Sequence, residues 1–238
     1  MEDKRLKILC NAIDLTVKES CNTSITVSFS GGIDSTLVAF LAKKYSDVEL
    51  IAVGTPESHD LEAAKTAAKM IGMELTVIEI EQNEMVSEGF KMQKEINLKA
   101  IEVEFMLPFW IAAKNSKNPT LMCGQGADEV FGGYARFRKN NAVNNLSKEI
   151  KDLNKRLIDR EEKIAEIFGL KLSCPYLSED VIGAATLFSE EERIGDVGKV
   201  PLRQAAKMLG LPKEIADRKK KAAQYGSGSQ KAIRNIIK

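Results

Sequence analysis

Two short glycine-rich stretches hold most of the chemistry this sequence can do. In the first, Ser30-Gly31-Gly32-Ile33-Asp34-Ser35, two glycines let the backbone turn tightly and aim several N–H groups at one point. With the Ser30 and Ser35 hydroxyls and the dipole of a following helix, those amides form an anion site. Asp34 beside such a site makes sense only if Mg²⁺ neutralises the pair. No Gly-Lys-Ser/Thr is present, so this is not the nucleotide loop of kinases and GTPases. No Gly-x-Gly-x-x-Gly marks a dinucleotide fold either. The second stretch, Cys123-Gly124-Gln125-Gly126-Ala127-Asp128-Glu129-Val130-Phe131-Gly132-Gly133-Tyr134, puts two carboxylates beside a glycine-rich turn. That arrangement suits Mg²⁺ coordination opposite Asp34. The plainer alternatives are a Gly-Gly turn with Ser35 as a helix cap, and Asp128 and Glu129 as first-turn acids complementing a helix dipole.

The flanking elements decide between these. Ile25–Phe29 is short, β-branched and apolar, and it runs through the first loop into a helical stretch over 33–45. Strands are expected at 48–53, 74–80 and 119–123, with helices at 58–71 and 101–115 between them. Such alternation implies α/β architecture, a doubly wound parallel sheet with helices on both faces. Ligands of such sheets bind at the carboxyl ends of the strands, where both glycine-rich stretches must lie. From 140 to 168 the chain is highly charged, with Leu146, Ile150, Leu153, Leu157, Ile164 and Ile167 as an apolar stripe. Helices are expected to dominate from there, broken at Pro175, Pro201 and Pro212. The expected organisation is a single domain, with an N-terminal helix over 1–24, an α/β core over 25–139 and a mainly helical part over 140–238.

Bulk properties exclude several classes. Thirty-five basic and thirty-four acidic residues leave a formal charge of +1, which gives no global reason to expect nucleic-acid binding. No signal-peptide pattern or membrane-length apolar run occurs, so a cytoplasmic protein is expected. Cys10, Cys21, Cys123 and Cys174 form no Cys-x-x-Cys pair, and His59 is the only histidine. A zinc site and a Ser-His-Asp hydrolase are both poorly supported. No stripe marks a dimer face, and self-association stays open.

The first loop resembles the pyrophosphatase loop of the N-type ATP pyrophosphatases, whose fold is of the adenine nucleotide α-hydrolase kind. The second stretch is similar to the Ser-Gly-Glu-Gly-Ser-Asp-Glu-Val-Phe-Gly-Gly-Tyr signature of the asparagine synthetase synthase domain, and Ala52 to Leu61 resembles that family's adenine-side segment. The resemblance implies ATP held by Ser28, Ser30, Gly31, Gly32, Asp34, Ser35, Val53, Gly54, Cys123 and Gly124, with Mg²⁺ on Asp34 and Asp128. Lys199-Val-Pro-Leu-Arg203 looks like the segment whose lysine stabilises negative charge at the reaction centre. Glu129 joins it as a catalytic candidate. So does Lys221 of the run Arg218-Lys219-Lys220-Lys221, which the resemblance folds over the pyrophosphate. The implied reaction adenylates a carboxylate to give AMP and pyrophosphate, then forms an amide with ammonia or an amine.

The departures fall at the substrate end. Gln125 stands where asparagine synthetases carry Glu, and a neutral amide cannot act as a carboxylate base. Ser173-Cys174-Pro175-Tyr176-Leu177-Ser178 stands where the family has Arg-Val-Pro-Phe-Leu-Asp, so aspartate is not implied as the substrate. Position 2 is Glu2 where the glutaminase half carries its Cys nucleophile. Ammonia is therefore expected free, replaced by another amine, or from a separate glutaminase subunit. Two alternatives remain open: an adenylating tRNA thiolase using Cys123 and Cys174, and an ATP-binding subunit without chemistry.

Overall fold

The structure is a computed structural model that describes residues 3–56, 58–139 and 146–218. Among them, β1 (Ser24–Ser28), β2 (Asp47–Gly54), β3 (Leu75–Glu79), β4 (Thr120–Met122) and β5 (Lys171–Ser173) form one sheet in the order β3-β2-β1-β4-β5. Every pairing is parallel. Alternation along the strands divides their side chains between two cores. Ile25, Val27, Leu50, Ala52 and Met122 pack with helices Lys4–Ser20, Ile33–Ala42, His59–Met70 and Val200–Met208. Ile51, Val53 and Leu121 face the other way, onto helices Gln82–Glu95 and Ala100–Lys114. The doubly wound α/β fold expected from the sequence is the fold observed.

Four strands lie where the alternation places them. The chain adds β2 and β3 on one side of β1, then crosses to add β4 and β5 on the other. β1 and β4 therefore flank the point where strand order reverses, and sheets of this kind bind ligands at the carboxyl ends of the strands there. β5 departs from the expectation of helices alone after residue 140. At three residues it is too short to show a period, yet it extends the sheet through the Met122–Ser173 pairing. The expected boundary near 140 lies outside the described residues. Pro175, Pro201 and Pro212 stand at helix starts, where a missing N–H costs nothing.

Helices Gln82–Glu95 and Ala100–Lys114 are joined by a buried carboxylate. Glu88 accepts from Trp110 Nε1 at 3.0 Å and from Lys91 and Lys114 Nζ, each at 2.8 Å. Burial alone would raise its carboxyl, but those three donors reverse the effect and hold it at about 2. A depressed folded-state value contributes stability that is present above the ordinary carboxylate range and lost as pH falls toward 2. Glu88→Gln is therefore expected to lower the urea midpoint near pH 7, with the gap from wild type closing below about pH 4.5. A gap that stays constant down to pH 3 would assign the effect to packing instead.

Candidate active site

The loop after β1 enters helix Ile33–Ala42 through Gly31 in the left-handed region (φ +68°) and Gly32 at the N-cap. Gly32 brings no side-chain acceptor, so the first-turn amides are left for a ligand. Ser35 Oγ accepts from Ser30 N at 3.2 Å and lies 3.2 Å from Ser30 Oγ, which draws both hydroxyls to the mouth of the turn. A Cβ on Gly31 would stand 2.4 Å from the Ala63 carbonyl oxygen, so helix His59–Met70 closes directly on the loop. Gly31→Ala combines that backbone clash with an unfavourable φ and is expected to cost about 1–3 kcal/mol in urea unfolding. An unchanged midpoint would show that the loop relaxes freely.

The second stretch leaves β4 beside this loop. A Cβ on Gly124 would lie 2.7 Å from Asp34 Cβ and 2.8 Å from Ser35 N, so the two turns touch backbone to backbone. Ser28 ends β1, and Val53 and Gly54 end β2 on its other side. The structure thus brings Ser28, Ser30, Gly31, Gly32, Asp34, Ser35, Val53, Gly54, Cys123 and Gly124 to one edge of the sheet.

Lys199 unites the two turns. Its Nζ lies 2.7 and 2.6 Å from the two Asp34 carboxylate oxygens and 2.7 Å from Asp128 Oδ1. The lysine is 2% exposed and holds a left-handed backbone (φ 58°), alone in this among the described non-glycine residues. Its stem runs past Gly133, where a Cβ would come within 2.2 Å of Lys199 Cε. Two carboxylates that converge on one cation, with hard oxygen donors only, match what Mg²⁺ requires, and the residues fit that ion.

Glu129 is turned elsewhere. It is buried and accepts the Tyr134 hydroxyl at 2.5 Å. Burial, then the Glu129 charge, push the Tyr134 phenol far above its ordinary value and keep it a donor.

Sequence reasoning missed a second buried charge group. Gln125 donates from Nε2 to Glu161 Oε1 at 3.0 Å, and Arg160 Nη2 reaches the same oxygen at 3.2 Å. Arg160 also lies 3.6 Å from Glu102 and sits over the Phe105 ring. Arg160 and Glu161 are 4% and 2% exposed and fall in the π-helical turn Ile158–Glu162. Burial pushes the Glu161 carboxyl up, against the pull of Arg160. A signal existed: the apolar stripe steps from Leu157 to Ile164 and skips the inward positions, where this pair sits.

The remaining candidates divide. Cys123 continues β4, with its N–H on the Ser173 carbonyl at 3.0 Å and its Sγ 3.5 Å from Cys174 Sγ. Tyr176 donates to the Asp34 carbonyl at 3.1 Å and fixes the first turn. Ser178, one of the two serines in place of family charges, accepts from Val181 N as a helix cap and contacts Thr16, so it serves the fold. Buried Arg203 donates to the carbonyls of Gly198 and Ala216, and to that of Arg218 at 3.1 Å. Arg218 in turn donates to the Gly31 carbonyl at 3.1 Å. The basic run therefore starts on the first glycine-rich loop, while Lys221 lies outside the described residues. No helix among the described residues is long and apolar enough to cross a membrane.

Comparison with known proteins identifies the family. The asparagine synthase family matches over residues 13–151 and 144–238. A putative glutamine-hydrolyzing asparagine synthetase of Methanocaldococcus jannaschii is 31% identical over 88% of this chain and 47% of its own length. Asparagine synthetase B of Escherichia coli is 25% identical over 92% of this chain and 45% of its own. The chain thus spans less than half the length of these curated relatives. Among solved structures, the NH3-dependent NAD synthetase of Campylobacter jejuni overlays on 79% of this chain and 93% of its own. Its TM-score is 0.37 at 17% identity, a likeness too distant to bear on function. With the family matched across most of the sequence and both signature turns meeting at one lysine, the chain belongs to the asparagine synthase family.

Proposed function

We propose that the protein is an ATP-dependent carbon–nitrogen ligase. It converts a carboxylate and ATP into an acyl-adenylate and pyrophosphate, and then ammonia or an amine displaces AMP to leave an amide. One observation carries this reading: Lys199 bridges Asp34 of the anion loop and Asp128 of the second turn at the sheet's switch point. In it, the amides after Gly31 and the Ser30 and Ser35 hydroxyls bind the β- and γ-phosphates. Ser28, Val53, Gly54, Cys123 and Gly124 line the nucleoside side. Asp34 and Asp128 would hold Mg²⁺, which when bound neutralises phosphate charge. Lys199 stabilises negative charge at the α-phosphorus and on the tetrahedral intermediate. Glu129, tied to Tyr134, holds the Asp128 turn in place, Arg218 brings the start of the basic run to the loop, and Lys221, outside the described residues, is the candidate for contact with the pyrophosphate. Gln125 and Glu161 form the nitrogen end, where Glu161 accepts the proton that the amine loses.

ATP–pyrophosphate exchange across a panel of carboxylates tests the first half-reaction, and amide formation with ammonium tests the second. AMP and pyrophosphate are the expected products. ADP as the product would overturn the class. The relatives' names specify glutamine hydrolysis, so the natural ammonia donor is proposed to be a glutaminase domain or subunit. Free ammonium is accordingly expected to support turnover of this chain and glutamine is not.

The 3.5 Å approach of Cys123 and Cys174 favours a second reading, sulfur transfer to an adenylated nucleic-acid base. The double replacement Cys123→Ser, Cys174→Ser separates the two. A ligase is expected to keep turnover within about threefold, since Ser fills nearly the same volume, whereas a sulfur carrier loses all of it.

A further inference from the structure

We infer that Lys199 is a built-in stand-in for the divalent cation: without nucleotide its ammonium occupies the Asp34–Asp128 site, so the metal enters only together with ATP. The inference rests on the ligase reading above and concerns the order in which its parts assemble. Three carboxylate oxygens of two residues, contributed by turns after different strands, close on one ammonium at 2.6 to 2.7 Å. Such convergence of two like charges is stable only around a cation, and Lys199 supplies it from 2% exposure. A divalent ion on the same oxygens would sit within a few ångströms of the ammonium, and at that range in a low-dielectric pocket the repulsion is large. Nearby cations add to the barrier. Arg218 holds the Gly31 carbonyl, and Arg138 Nη1 crowds Gly198, the residue before Lys199.

The surrounding backbone is shaped to release the lysine. Lys199 sits at φ 58°, an unfavourable value for a side chain of this size. It follows Gly195 (φ +47°) and Gly198 (φ +74°), two positions with wide backbone freedom. Its stem fills the space left by the missing side chain of Gly133, which also abuts Asp128 Oδ1. ATP supplies phosphate oxygens as new partners for the ammonium. The carboxylates then become open to the metal that arrives with the nucleotide. Metal and nucleotide affinity are thereby coupled through one side chain.

Mn²⁺ titration of the full chain, followed by the free-Mn²⁺ electron paramagnetic resonance signal, reads this without turnover. Wild type is expected to bind no Mn²⁺ alone up to about 1 mM, and to bind it once ATP is present. Lys199→Met is expected to bind Mn²⁺ without nucleotide at least about tenfold more tightly than wild type, and the added Asp128→Asn change to abolish that binding. Nucleotide-free binding to wild type that Asp128→Asn removes would overturn the inference, whatever the fold of the variants. So would a Lys199→Met protein with native circular dichroism and no gain in affinity. If wild type binds ATP and Mn²⁺ in either order with equal ease, the stand-in role falls and the ligase reading survives. If no ATP binds at all, the ligase reading itself falls.

Discussion

Lys199→Met is expected to lower AMP formation by roughly 10²–10³-fold at saturating ATP and Mg²⁺, the range seen when one preorganised charge-stabilising donor is removed. Methionine keeps the unbranched stem that passes Gly133 and deletes only the ammonium. The variant also leaves Asp34 and Asp128 facing each other without their shared cation, a defect on the order of 3–5 kcal/mol for a broken buried pair. The two consequences separate with ligand. Mg²⁺ with ATP restores a cation to the carboxylates, so the melting temperature is expected to recover toward wild type. The turnover defect is expected to persist, because on the proposed mechanism the metal cannot replace the ammonium that stabilises developing negative charge. Recovery of both would make Lys199 a structural counter-ion, and recovery of neither would point to misfolding.

That arrangement shows how far sequence reading reaches. The parallel sheet was legible because β1, β2 and β3 alternate with helices in segments long enough to display a period. The meeting of the two glycine-rich turns followed from strand-end logic alone. The direct ion pairs were beyond it. Spacing placed Asp34 and Asp128 at one sheet edge, and likeness to the family chose Lys199, but neither showed that the ammonium sits between the two carboxylates. β5 escaped notice because three residues carry no pattern and its parallel partner lies some fifty residues upstream. Ser178 read as a lost substrate charge and is a helix cap, a role decided by geometry three residues ahead. Of the basic run, Arg218 is the side chain seen on the loop among the described residues, and Lys221 lies outside them.

The most instructive gap is Glu161, and it yields the second large effect. Gln125 stands where the resemblance to the family implies a Glu, and the structure brings a carboxylate, Glu161, against it from the π-helical turn. π-helical turns often mark functional positions because the extra residue re-aims a side chain. Glu161→Gln is expected to leave ATP–pyrophosphate exchange within a few-fold of wild type and to lower amide formation by about 10²–10⁴-fold, the span of general base catalysis. The adenylate would still form and be lost to water, so AMP would accumulate without amide. The pH dependence carries an independent signature. Burial raises the Glu161 carboxyl, so the fraction able to accept a proton falls as pH drops through a value above the usual carboxylate range. Wild-type amide formation should decline along that acid limb while exchange does not, and the limb should be absent from the residual activity of the variant. The competing role is counter-ion to Arg160, which would retain Glu102 at 3.6 Å. Under that role the variant loses stability, and exchange and amide formation fall together. A ratio of amide to AMP unchanged from wild type would therefore remove Glu161 from the chemistry and leave the proton to the incoming amine's own solvent.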